Sequence, residues 1–168
     1  MVRLLGIDPG LRFTGWGIID VKDNQLRHVE NGVIATDSST SVPERLKRLY
    51  EELQALITRL APTEAAVEET YVNRNGTSTL KLGYARSVAL LAPAMAGLTV
   101  SEYGALAVKK AVVGTGSANK TQVQTMVRHL LPGITITRAD ASDALAIAIC
   151  HAHHRTSVHH LLTRTKIV

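Results

Sequence analysis

The sequence predicts an α/β fold: a mixed β-sheet with helices on its faces. Three apolar runs separated by turn residues fill the first 37 positions, and short apolar runs then alternate with segments of helical periodicity. The first pattern belongs to an antiparallel meander and the second to strands joined through helices, so one sheet must hold both pairings. At 168 residues, without repeats or a long linker, the chain has the length of one domain with a substantial core.

LLGID at 4–8 is the first strand, ended by Pro9-Gly10, and FTGWGIID at 13–20 is the second. The polar KDNQ turns the chain into LRHVENGVIA at 26–35. VPERLKRLYEELQALITRLAP is a helix, because Leu46, Leu49, Tyr50, Leu53, Leu56, Ile57 and Leu60 recur at three- and four-residue steps. Pro43 suits its first turn and Pro62 follows its end. AAVEET at 65–70 is a short strand, and TSTLKLGYARSVALLAPAMAG a second helix with an interruption expected near Pro93. LTVSEY is a further strand, followed by helices over LAVKKAVVG and ANKTQVQTMVRHLL. ADASDALAIAICHAHH, apolar nearly all round, is a last and buried helix.

No apolar run reaches the roughly 18 residues that span a bilayer, and no basic segment followed by an apolar stretch opens the chain. A cytoplasmic protein without membrane contact is expected. The lone Cys150, inside ALAIAIC, reads as a small buried residue in a reducing compartment. The formal charge is +5, divided as +6 over residues 104–168 and −1 over the first 103. Between Thr70 and Ser101 there is no acid, while Arg74, Lys81 and Arg86 are present. Such a surface suits a polyanion such as nucleic acid, although a merely soluble basic protein has the same composition.

Four carboxylates stand where apolar elements end. Asp8 closes the first strand, Glu68 the fourth, and Asp140 and Asp143 lie three apart at the start of the last helix, on one face. If strands one and four are neighbours, these groups converge, and clustered anions repel unless a divalent cation joins them. Oxygen-only ligands suit Mg²⁺ or Mn²⁺ rather than Zn²⁺. Two such ions roughly 4 Å apart would activate water and stabilise a leaving oxygen in phosphodiester hydrolysis. Helix capping accounts for Asp140 and Asp143 equally well when that pair is taken alone. Glu69 competes with Glu68, on the opposite face of its strand.

GIDPG at 6–10, AVEETYVNRN at 66–75, KLGYARSVAL at 81–90, VKKAVVGTGSANKTQV at 108–123 and ADASDALAIAICH at 139–151 occur together, in order. On these motifs the chain resembles the RuvC family of bacterial Holliday junction resolvases, in the ribonuclease H-like superfamily. The resemblance implies a five-stranded mixed sheet, and a single ribonuclease H-like nuclease domain over 1–168 is expected, with about 158–168 a flexible or peripheral tail. It implies Asp8, Glu68, Asp140 and Asp143 as catalytic metal ligands for Mg²⁺, with Mn²⁺ able to substitute and two ions per site. It also implies a homodimer that makes two symmetric nicks in a four-way DNA junction, with RuvA and RuvB as partners. Lys109 and Lys120 match junction-contacting lysines and read independently as phosphate neutralisers beside the loop GTGS. Tyr71 matches an aromatic that stacks on an unpaired base. Arg74 and Lys81 extend the expected DNA-binding surface.

Other classes explain less. Actin-like ATPases and sugar kinases share the strand–Asp–Gly turn, but they need two domains around a nucleotide, and LRFTG does not reproduce their phosphate loop. A non-catalytic DNA-binding module would have no need of all four acids. The histidines of HAHHRTSVHH are explained more economically by a helix end and a solvated tail than by a soft-metal site.

Overall fold

A computed structural model describes the backbone of residues 1–69 and 76–164, and the side chains of residues 1–69 and 79–155. The five strands are β1 (Val2–Asp8), β2 (Phe13–Lys22), β3 (Gln25–Ala35), β4 (Glu64–Glu69) and β5 (Thr99–Gly104). They form one sheet in the order β3-β2-β1-β4-β5. β1, β2 and β3 pair antiparallel, as the meander predicts, whereas β1–β4 and β4–β5 are parallel. The β2–β3 hairpin turns on Asp23 and Asn24, both with positive φ (48° and 65°). That is the two-residue turn whose twist matches the strands it joins.

Five helices cover the sheet: α1 (Val42–Leu60), α2 (Gly76–Met95), α3 (Ala105–Val113), α4 (Lys120–Leu130) and α5 (Ala139–Arg164). On one face Leu5, Ile7, Ile18 and Val67 pack against Leu49, Leu53 and Leu56 of α1 and Ala85, Ala89 and Ala92 of α2. On the other, Leu4, Ile19 and Ala66 pack against Val108 of α3, Val123 and Val127 of α4, and Leu145 and Ile149 of α5. The two cores follow from the period-two alternation of each strand.

The helix ends carry their own chemistry. Ser41 and Glu44 form a capping box at the start of α1, and Asn119 and Gln122 do the same for α4. The interruption expected near Pro93 does not occur, because α2 continues to Met95. Pro93 stands in the last turn, where little helix remains to lose, and its carbonyl accepts from the Leu98 amide as Gly97 turns at φ 80°. α5 likewise runs ten residues beyond the expected HAHH end, to Arg164.

Candidate active site

Alternation along β1 puts Leu4, Gly6 and Asp8 on the α5 side of the sheet, and alternation along β4 puts Ala66 and Glu68 there too. Glu69 falls on the opposite face. Because β1 pairs directly with β4, Ile7 opposite Val67, the carboxylates that follow these two residues are neighbours. α5 lies close against β1 and β2 because glycines face it. A Cβ on Gly6 would collide with the Ala144 carbonyl, one on Gly15 with the Asp140 carbonyl, and one on Gly17 with Leu145. This close approach brings the first turn of α5, with Asp140 and Asp143, to the end of β1.

The electrostatics register that convergence. Burial pushes the Asp8 carboxyl well above the usual carboxylate range, and the charges of Glu68, Asp143 and Asp140 add to the shift. Glu68 is also raised, chiefly by burial. The direct interaction of the two side chains raises Asp8 further and pulls Glu68 down. Asp143 receives the Lys120 ammonium at 2.8 Å, and Asp140 the Arg138 Nε at 3.2 Å. Both helix acids therefore face cations rather than serving only as first-turn dipole partners. Among the described residues, no three His, Cys, Asp or Glu side chains stand together at metal-holding distance.

Glu68, Asp143, Lys109 and Lys120 line a cavity of about 280 Å³ whose floor is Ala105, Val108, Val123, Ala146 and Ile147. Two lysines and two of the four expected carboxylates thus share one opening. Lys81 is exposed on α2, the helix that packs on the opposite face of the sheet. Tyr71 and Arg74 lie outside the described residues.

Two groupings were not legible from the sequence. Arg138 stacks 3.8 Å from the centre of the Phe13 ring while it bonds Asp140, and the Arg12 guanidinium lies 5.3 Å from the same ring. Arg138 two residues before Asp140 was a weak signal, but nothing in the sequence pairs it with Phe13. At the other end of β4, buried His151 bonds Glu64 at 3.0 Å and the Tyr103 hydroxyl at 2.8 Å, while Arg155 also pairs with Glu64. His151 is thereby separated from the acid cluster, as its place along the last helix predicts.

A mixed sheet in this order, with carboxylates on its first and fourth strands and on the last helix, defines a ribonuclease H-like fold. The family model of the crossover junction endodeoxyribonuclease RuvC matches residues 4–151, and the chain belongs to that family. It is 73% identical to the RuvC crossover junction endodeoxyribonuclease of Gluconacetobacter diazotrophicus, over 94% of each chain. It is 69% identical to that of Gluconobacter oxydans, over 96% of each. A solved structure of Thermus thermophilus RuvC in complex with a Holliday junction substrate superposes with a TM-score of 0.87 at 34% identity, covering 94% of this chain and 97% of that one.

Proposed function

We propose that the chain is a divalent-metal-dependent endonuclease that resolves Holliday junctions in recombination and DNA repair, with Asp8, Glu68, Asp140 and Asp143 as its catalytic centre. The observation that carries the assignment is the convergence of Asp8 and Glu68, at the ends of directly paired strands, with Asp140 and Asp143 at the start of the helix packed against them. A site that keeps four acids at one sheet end, at the expense of that repulsion, is fitted for cations. The donor set is oxygen only, which fits Mg²⁺ with Mn²⁺ as a substitute, and the number of acids suits two ions. Divalent ions held there supply the Lewis acidity that activates a water and stabilises the departing oxygen.

The chain's own residues do the rest. Asp8, Glu68, Asp140 and Asp143 would hold the cations as carboxylates, and Lys120, which pairs with Asp143 in their absence, would be freed to meet phosphate. Lys109 neutralises a second phosphate across the cavity. Tyr71 stacks on a base at the opened crossover, and Arg74 and Lys81 extend the basic surface. Paired nicks need paired sites, so the working unit is a homodimer. RuvA and RuvB are the partners this reading implies, in the cytoplasm. Among the described residues no helix is long and apolar enough to cross a membrane.

The experiment is incubation of the purified chain with a synthetic four-way junction and Mg²⁺. Two symmetric nicks across the crossover are expected, and none with EDTA. Hydrolysis of nucleotide without cutting of DNA would overturn the assignment.

A further inference from the structure

Arg12, Phe13 and Arg138 are brought together by the same contact that builds the carboxylate site. Phe13 and Gly15 are two apart on β2 and share its α5 face, and Gly15 lies against the Asp140 carbonyl. The ring therefore meets the residue that leads into α5, and the Arg138 guanidinium stacks on it at 3.8 Å. Arg12 adds a second guanidinium at 5.3 Å, within the range of attraction by a ring face. Two like charges on one ring repel each other. One of them is compensated, because Arg138 bonds Asp140 through Nε and keeps its terminal nitrogens for another acceptor. Arg12 is exposed and makes no ion pair with a described residue. Net positive charge on preoriented, planar donors is the chemistry that grips phosphate, often through two parallel bonds.

The position is as telling as the chemistry. β1 carries Asp8, with β4 on one side and β2 on the other. The cavity of Lys109 and Lys120 lies on the β4 side, whereas Arg12 and Phe13 begin β2. We infer that Arg12 and Arg138, held by the Phe13 ring, form a second phosphate-binding platform for the DNA backbone, on the side of the acids away from Lys109 and Lys120. The inference rests on the proposed function. A backbone held on both sides of the acids is fixed along its length, so that the phosphate between them cannot slide. Phe13 and Arg12 are positioning and binding residues here and take no part in proton transfer.

The test is binding of a labelled four-way junction by fluorescence anisotropy, in EDTA, over a range of NaCl concentrations. Arg12→Gln and Arg138→Gln are each expected to lower the salt slope by about one unit, as the loss of one phosphate contact does. Arg12 is exposed and makes no ion pair with a described residue, so its variant does not endanger the fold. Phe13→Leu keeps every charge and is expected to weaken binding about 2- to 5-fold with unchanged far-UV circular dichroism. In cutting assays Arg12→Gln should raise KM at nearly constant kcat. Unchanged slopes for both arginine variants beside a lowered slope for Lys109→Ala would overturn the platform and leave the proposed function standing. A lowered slope for Arg12→Gln with wild-type binding by Phe13→Leu would overturn the role of the ring. Wild-type protein that neither binds nor nicks the junction would overturn both readings.

Discussion

Asp8 answers to two environments at once: an apolar strand behind it and three other acids around it. Without a cation the folded chain must keep this carboxyl protonated or bear the repulsion, a cost that Asn does not carry, so Asp8→Asn should stabilise the fold while ending the chemistry. Asp8→Asn is expected to lose all nicking, to gain about 2–4 °C in metal-free Tm, the shift that 1 kcal/mol brings at this size, and to lack the Tm rise expected of the wild type with Mg²⁺. Thermal scans with and without Mg²⁺ check this, and a destabilised Asp8→Asn would contradict it. His151 poses the opposite case. Burial holds its pKa below the ordinary histidine value, although Glu64 pulls it upward, and Tyr103, Arg155 and His154 complete its surroundings. As pH falls through the ordinary value near 6.5, the unfolded chain takes up a proton that the folded chain resists. Stability from this residue is therefore full above that value and declines below it. His151→Gln should flatten the loss of urea midpoint between pH 7.5 and 5.5, and an unchanged pH profile would remove His151 from the account. At this scale the acids were legible from their places at element ends. The cations that meet them were not, since Lys120 is 23 positions from Asp143 and nothing local couples the two.

Among the elements, α5 does most to build the site, and it depends on what is missing from the strands beneath it. Its apolar circumference was readable as burial, and the three-residue spacing of Asp140 and Asp143 as a shared face. The helical period of α1 was equally plain, because Leu49, Leu53, Leu56 and Leu60 repeat on one side. Gly6, Gly15 and Gly17 looked like ordinary strand glycines until the helix was in place, because their meaning lies in a backbone approach between distant segments. The fate of Pro93 was hidden for a similar reason: its effect depends on how much helix follows it, which the end at Met95 decides. Gly15→Ala is the direct probe of this packing. The added methyl collides with the Asp140 carbonyl and must lift the first turn of α5 from β2. A loss of about 1–3 kcal/mol is expected from overpacking, together with a fall in single-turnover cutting that exceeds any fall in junction binding. Calorimetry and quenched single-turnover assays measure the two. Wild-type cutting by Gly15→Ala would show that the acids do not need this approach.

The whole molecule is divided by its sheet: the α5 face carries the acids, and the opposite layer carries α1 and α2. Leu80, Tyr84, Leu91 and Met95 are exposed on α2, Met95 to 67%. Their steps of four, seven and four residues place them along one side of the helix. A row of large apolar groups left in water is unfavourable for a monomer and reads as a surface for association. The proposed reaction specifies the occupant. A four-way junction cut symmetrically presents the same scissile geometry twice, and a second copy of this chain is the partner that matches it. α2 packs on the face away from α5, so two copies joined through it would leave both acid clusters uncovered. Leu91→Glu and Met95→Glu place charges in that row without touching either core. Both variants should therefore fold as the wild type does and run as monomers in sedimentation velocity, where the wild type is expected to run as a dimer. On a four-way junction carrying a label on each cut strand, they should release single-nicked products in place of the paired cuts of the wild type, with the chemistry at each nick unimpaired on a pre-nicked substrate. Dimeric Leu91→Glu and Met95→Glu would move the interface off α2, and a monomeric wild type that still makes paired nicks would end the case for the dimer.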